Sequence, residues 1–123
     1  MPEKDVYEMV LEQVPVSLNV WQNLHWRRRA DLRVMWQWEM LAVGPRIPKH
    51  NNHVRLSANI WFAVNCRRDV DNYAAVLWKM TQDGLVRMDI IPDDTPGYVT
   101  TGIVDLRVDP DKHEHTVICL EVS

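Results

Sequence analysis

Residues 67–72 read Arg67-Arg68-Asp69-Val70-Asp71-Asn72, and after one predicted helix the chain returns to an acidic pair at Asp93-Asp94. Two carboxylates separated by one residue point the same way in extended backbone, because side chains alternate faces there. The pattern predicts a helix over 71–82 that Asp83-Gly84 closes. We expect the chain to leave this motif along one helix and to return to it at Asp93-Asp94, so that three or four carboxylates meet beside two arginines. Such an arrangement suits Mg²⁺ next to a phosphate.

The length of 123 residues predicts a single domain, spanning 1–123, that can bury its own core. Apolar residues make up 46% and charged residues 25%, as in ordinary globular proteins. No apolar run approaches the ~20 residues of a membrane span, and no signal peptide is visible. Two cysteines, Cys66 and Cys119, favour free thiols, and Cys66 is expected to be a small buried residue. A cytoplasmic protein with no membrane partner is therefore expected.

Charges are segregated along the chain although the net charge is only −3. Residues 21–68 carry nine Lys and Arg against two Asp and Glu, a net charge of +7. Residues 69–123 carry four against eleven, a net charge of −7. A basic middle followed by an acidic half suits a protein that holds a polyanion with one region and metal with another. The alternative is that these are solvated faces with no such role.

The order of predicted elements is β-α-β-α-β-β, which indicates an α+β domain with a small mixed four-stranded sheet and two helices. Strands are predicted over 6–11, 54–64, 98–108 and 116–122, and helices over 25–43 and 71–82. Gly44-Pro45 ends the first helix. The last two strands, joined by the polar residues 109–115, are expected to form a hairpin.

The first helix has more apolar surface than one sheet needs to cover. An apolar stripe is formed by Leu32, Met35, Trp36, Met40 and Val43, and a polar stripe by Arg29, Arg33 and Gln37. Val34, Trp38 and Leu41 fall outside both stripes. The excess predicts a second burial partner, for which another copy of the chain is the hypothesis.

Oxygen ligands are what Mg²⁺ prefers, and it takes one or two carboxylates from most protein sites. Asp69, Asp71 and Asp94, with Asp93 in reserve, are the predicted ligands for one ion or a pair about 4 Å apart. Arg67 and Arg68 are positioned to hold a phosphate. In the alternative interpretation Asp71 is a helix N-cap and the Asp93-Asp94 pair forms a turn.

Other residues allow a functional and a structural interpretation side by side. The loop 45–53, which includes Lys49, either reaches DNA phosphates or only connects two elements. Trp21 and Trp26, beside Arg27, Arg28 and Arg29, either stack on unpaired bases or pack in the core. His113 and His115 with Glu114 form a possible metal site, although at a hairpin tip they are expected to be solvated.

The motif Arg-Arg-Asp-Val-Asp-Asn, followed by a helix and Asp-Asp, resembles the RusA family of Holliday-junction resolvases. The Pro-x-Ser-x-Asn at residues 15–19 also looks like the N-terminal motif of that family, and residues 19–26 are similar to phage-borne members. The resemblance implies a homodimeric, Mg²⁺-dependent endonuclease, with Mn²⁺ able to substitute, that binds four-way junctions and nicks opposing strands symmetrically in DNA recombination and repair. It implies no small-molecule cofactor, and a cytoplasmic location in a bacterium or a phage-infected cell.

Carried over by position, Asp69 and Asp71 match the first two metal-binding aspartates of the family and Asp94 the third. Asn72 is expected to contact DNA together with the arginines. The family has a functional lysine where this chain has Ala75. Lys79 lies one turn further on the same helical face and is the candidate catalytic substitute, provided that its long side chain bends back. Two rival functions follow: a RusA-like protein that binds branched DNA without cutting, and an interaction protein whose aspartates are caps and turns.

Overall fold

The computed structural model describes residues 5–44, 47 and 53–122, which form an α+β fold with one four-stranded mixed sheet and three helices. In chain order the elements are β1 (Asp5–Leu11), α1 (Leu18–Asn23), α2 (Trp26–Val43), β2 (Val54–Phe62), α3 (Val70–Arg87), β3 (Val99–Val108) and β4 (His115–Val122). The four expected strands and both long helices are confirmed, with ends that shift by a few residues. No helix within the described ranges is long and apolar enough to span a membrane.

The expected hairpin between the last two strands is wrong. The strand order is β1-β4-β2-β3, so β2 separates β3 from β4. β2 pairs in parallel with β3 and antiparallel with β4. Every second residue of β4 is buried, whereas most of β3 is exposed. The strand with the fuller apolar face takes an inner position, where the core covers it, and β3 takes the edge.

The core lies on one face of the sheet, under α2 and α3. Leu56, Ala58, Ile60 and Phe62 are buried as their alternation predicts, and the α3 side chains Leu77 and Leu85 are fully buried with them. α2 packs against both α3 and β1, and α3 also packs against β3. β2, α3 and β3 therefore form one β-α-β crossover, which positions every candidate residue between 63 and 98.

A short helix, α1, occupies a segment that was expected to be a loop. Ser17 caps it, since its hydroxyl accepts a hydrogen bond from the Val20 N–H at 3.2 Å. Trp21 on α1 is only 3% exposed, so core packing holds for this tryptophan and stacking on bases does not.

Gly84 does not end α3, which continues to Arg87. The residue is buried where α3 meets α2, and a Cβ atom built on it would lie 2.6 Å from the sulfur of Met40. A glycine here allows the two helices to approach closely, which explains why it stands inside a helix despite its low helix propensity.

The faces of the helices differ from the expected stripes in part. On α2, Trp36 and Met40 are buried, but Met35 is 51% exposed and Gln37 from the expected polar stripe is only 8% exposed. On α3 the spacing of apolar residues also predicts a buried face, made of Val70, Tyr73, Ala74, Leu77, Trp78 and Met80. Leu77 and Met80 are buried, but Val70 is 40% exposed. Val34, Trp38 and Leu41 are exposed at 38%, 71% and 56%, which confirms the surplus of apolar surface on α2.

Candidate functional site

The first two predicted metal ligands lie at the N-terminal end of α3. Asp69 is the N-cap of the helix, and its Oδ1 accepts a hydrogen bond from the Asp71 N–H at 3.1 Å. The cap is therefore Asp69, and Asp71 lies in the first turn, where the helix dipole favours a carboxylate. Both side chains are exposed, and within the described residues no cation forms an ion pair with either carboxylate.

Arg67, Arg68, Asp69, Val70 and Asp71 line one open depression. Arg68 is held in place at two points: its Nη1 donates to the Val64 carbonyl at 2.9 Å, and its guanidinium carbon lies 3.8 Å from the centre of the Phe62 ring. Arg67 is exposed. The depression thus combines an oriented guanidinium, an exposed one and two carboxylates, which is chemistry for a phosphate and a divalent cation together.

Asp93 and Asp94 line a different depression. They share it with side chains near the end of α3, which are Asp83, Val86 and Arg87, and with Arg33 and Gln37 of α2. The Asp94 N–H donates to Asp93 Oδ1 at 2.8 Å, so Asp93 also stabilises the local turn. Arg33 Nε and Gln37 Nε2 are buried here without a hydrogen-bond partner among the described residues.

The two acidic pairs lie at opposite ends of α3. Its 18 residues make the helix about 27 Å long. Asp69 follows the last residue of β2, whereas Asp93 and Asp94 precede Val99, which pairs with the first residue of β2. In a parallel β-α-β crossover the helix carries the chain back from the C-terminal end of one strand to the N-terminal end of the next. The two connections of α3 therefore lie at opposite ends of the strands. The expected meeting of these carboxylates does not occur within one chain, and their metal-binding roles stay predictions.

Lys79 lies on α3 away from Asp69 and Asp71, whereas Asn72 lies in the first turn of the helix beside them. Lys79 is two turns beyond Asp71, about 12 Å along the helix axis. Its Nζ lies 5.9 Å from the centre of the Trp21 ring, on the side of α1. Asn72 is half-buried and its N–H donates to the Asp69 carbonyl at 3.2 Å. Ala75, at the position of the family lysine, is exposed.

The arginine run begins α2. Arg27 and Arg28 are exposed and Arg29 is half-buried, in a first turn that contains no acidic residue. Trp26 is 61% exposed, and the guanidinium carbon of Arg27 lies 5.2 Å from the centre of its ring. Trp26 therefore stays a candidate for base stacking. Lys49 and most of the loop 45–53 lie outside the described residues.

A third cluster was not expected as a unit. Asp109, His113 and His115 each offer one ligand atom, and these atoms lie within 4.8 Å of one another, close enough to hold a metal ion. The side chains of Asp109 and His115 are 15% and 17% exposed, so the expectation of solvated histidines is wrong for His115. Glu114, the expected companion, turns to the Ala63 N–H instead. The sequence signal that could have found the cluster is Asp109-x₃-His113-x-His115. The predicted hairpin treated residues 109–115 as a solvated loop, so this spacing was not considered as one site.

Cys66 is exposed, contrary to the expectation of a buried thiol. It lies in the segment between β2 and α3 and lines a depression with Asn65, Arg68 and the end of β3. The segment is irregular and on the surface, so it buries little of its length.

A scan against protein-family models matches none to this chain, and a search of the curated proteins finds no match.

Proposed function

We propose that this protein is a Mg²⁺-dependent DNA endonuclease that acts on branched DNA, as the RusA resemblance implies. One observation carries the proposal: Arg67, Arg68, Asp69 and Asp71 line one open depression at the start of α3. Two carboxylates together with a substrate phosphate are a sufficient set for one Mg²⁺ ion.

The chain's own groups in this depression have separable roles. Asp69 and Asp71 would hold Mg²⁺, for which Mn²⁺ substitutes, and the bound ion supplies activation of water and neutralisation of phosphate charge. Arg68, fixed by Val64 and Phe62, orients the phosphate, and Arg67 adds charge. Asn72, next in the helix, would contact the same DNA as these arginines.

The basic start of α2 supports a polyanionic substrate. The helix dipole disfavours positive charge in the first turn, at a cost of roughly 0.3–1 kcal/mol for each exposed cation. Arg27, Arg28 and Arg29 nevertheless stand there with no acidic residue in that turn. Binding to DNA phosphates gives these arginines a use that folding does not. Lys49, outside the described residues, stays a predicted DNA contact.

The exposed apolar residues of α2 support a homodimer. Val34, Trp38 and Leu41 line a groove with Gln37, Gly84, Arg87 and Met88. Gln37 and Arg87 also line the depression that contains Asp93 and Asp94, so the groove and that depression adjoin. A two-fold dimer supplies the two sites that symmetric nicking of a four-way junction needs. Asp94, with Asp93 in reserve, would then act as a ligand from the second copy.

A second candidate function is a RusA-like protein that binds branched DNA without cutting. Ala75 replaces the family lysine, and Lys79, the nearest substitute, has its Nζ near the Trp21 ring. Assays with Mg²⁺ and with Mn²⁺ distinguish this protein from a nuclease.

The decisive experiment incubates the purified protein with a labelled synthetic four-way junction and Mg²⁺, beside a linear duplex. We expect paired symmetric nicks on the junction alone and none with Asp71→Asn, which should still bind. Glu8→Gln is the matched control, since Glu8 is exposed on β1, on the sheet face away from the helices. Cleavage that survives Asp71→Asn refutes the metal assignment, and binding without cleavage by the wild type supports the second candidate.

A further inference from the structure

The connection from β3 to β4 is fixed against the end of β2. The Asp109 N–H donates to the Phe62 carbonyl at 2.8 Å, and the Glu114 carboxylate accepts from the Ala63 N–H at 3.3 Å. Between these points the chain turns tightly: the Asp111 N–H donates to Asp109 Oδ1 at 2.7 Å, and the Lys112 N–H to the Asp109 carbonyl at 3.0 Å. The turn brings His113 back to Asp109, and His115 follows at the start of β4.

Three side chains converge at this connection. His115 Nδ1 lies 3.8 Å from Asp109 Oδ2, and the rings of His113 and His115 stack with their centres 4.7 Å apart. The other face of His115 meets Trp61, with ring centres 5.7 Å apart and planes 5° from parallel. Asp109 and His115 are therefore held by packing, while His113 is 57% exposed and free to adjust.

Hydrogen bonds to oxygen leave a free nitrogen on each ring. His115 Nδ1 lies 2.8 Å from the His113 carbonyl, and because a carbonyl only accepts, Nδ1 donates there and Nε2 is the nitrogen left for an ion. The 3.8 Å contact of Nδ1 with Asp109 holds these two side chains together and is not a metal bond. His113 Nε2 contacts the carboxylate of Glu12. Metal-binding histidines have this arrangement, in which one ring nitrogen donates to a carboxylate or carbonyl and the other binds the ion.

We propose that Asp109, His113 and His115 bind one divalent transition-metal ion, with zinc as the best-suited probe. Imidazole nitrogen suits zinc and its neighbours, whereas Mg²⁺ takes oxygen ligands. A tetrahedral zinc ion places its ligand atoms about 3.4 Å apart. The three atoms already lie within 4.8 Å of one another, and His113 is the exposed member of the three. Three protein ligands leave a fourth position for water. The site is distinct from Asp69 and Asp71 and does not depend on the proposed nuclease activity.

Bound metal would stabilise the β3–β4 connection beside the C-terminal end of β2, where the segment 63–69 begins. That segment contains Arg67, Arg68 and Asp69. The structural consequence is a gain in thermal stability, because an ion that binds the folded chain alone stabilises it.

The test is titration of the chelator-treated full chain with zinc chloride, followed by calorimetry and thermal unfolding. We expect one zinc ion per chain and a higher Tm, and a Co²⁺-substituted sample should show the visible absorption of a low-coordinate nitrogen and oxygen site. His113→Ala, at an exposed position, should weaken zinc binding by more than about tenfold, as should Asp109→Asn.

Asp111→Asn is the matched control, because Asp111 is an exposed carboxylate of the same turn that does not belong to the cluster. It should bind zinc like the wild type. The proposal is overturned if zinc does not bind at one per chain, if His113→Ala binds it unchanged, or if binding is lost in Asp71→Asn instead. Since Tm of the metal-free variants is measured in the same series, a folding defect in Asp109→Asn is recognised directly.

Discussion

The indole Nε1 of Trp36 in α2 donates a hydrogen bond to the hydroxyl of Thr81 in α3, at 3.1 Å in the interior of the protein. Trp36 is 1% exposed and Thr81 is fully buried. Since water does not reach this pair, the two helices are joined by a bond whose loss leaves a polar group without a partner.

Replacing Thr81 by valine should therefore lower the free energy of unfolding by about 1–3 kcal/mol, because the shape is kept while the indole N–H becomes orphaned. Urea unfolding followed by circular dichroism measures the change. Thr81→Ser keeps the hydroxyl acceptor. A double-mutant cycle with Trp36→Phe should therefore give residue 81 and Trp36 an interaction energy in the Thr81→Ser protein similar to that in the wild type. A Thr81→Val protein as stable as the wild type would show that the bond contributes nothing.

Asp69 carries two roles that two substitutions separate. Asp69→Ala removes both the helix cap and the proposed metal ligand, so we expect a loss of about 0.5–2 kcal/mol in stability together with loss of cleavage. Asp69→Asn keeps an equally good cap and should lose cleavage alone. Thermal unfolding and the junction assay are read on the same preparations. If Asp69→Asn cuts normally, Asp69 is a cap only.

Arg28 is predicted to bind DNA phosphate although its positive charge destabilises the first turn of α2. Arg28→Gln should weaken junction binding and make the dependence of log affinity on log salt shallower by about one unit. The same change should leave Tm unchanged or raise it, since a cation is removed from the first turn of α2. Fluorescence anisotropy across a salt series tests the first part. Unaltered affinity and slope would exclude Arg28 from the DNA surface.

The exposed face of α2 should form the dimer. Trp38 is 71% exposed, and Trp38→Glu places a charge in the proposed interface. We expect a dimer for the wild type and a monomer for this variant in light scattering at micromolar concentration. Val20→Glu on α1, where Val20 is 48% exposed, is the matched control and should remain dimeric. A wild-type monomer would contradict both the dimer and its interface.

Mixing two inactive variants tests whether Asp94 acts on the other copy's site. In a mixed dimer of Asp71→Asn and Asp94→Asn, a site built across two copies leaves one of the two sites intact. Random exchange should then restore about a quarter of the wild-type cleavage rate, since half of the dimers are mixed. Each variant alone should stay inactive. No recovery after exchange would place all the ligands of one site on one chain.

Short-range patterns predicted most of the elements. The alternation of Leu56, Ala58 and Ile60 identified β2 and its buried face, and the apolar repeat before Gly44 identified α2. The motif at 67–72 identified the start of α3. These features depend on residues a few positions apart in the sequence, so they could be predicted without knowing where distant segments lie. The end of α3 was predicted wrongly at Gly84 because glycine occurs both at helix ends and where two helices pack closely. The contact that distinguishes the two cases is with Met40, which belongs to another helix.

The amino-acid order alone predicts the four strands and the two long helices, the apolar face of β2, and the residues that begin α3. The separation of Asp93 from Asp69, and the meeting of Asp109 with His115, arise from the parallel pairing of β3 with β2 and the insertion of β4 beside it. Strand order depends on which strand buries the most apolar surface against the whole core. That is a comparison among distant segments, since even the closest paired residues of β1 and β4, Leu11 and Thr116, are 105 positions apart. No local pattern contains that comparison, so the position of each acidic group relative to the others emerges only when the sheet has formed.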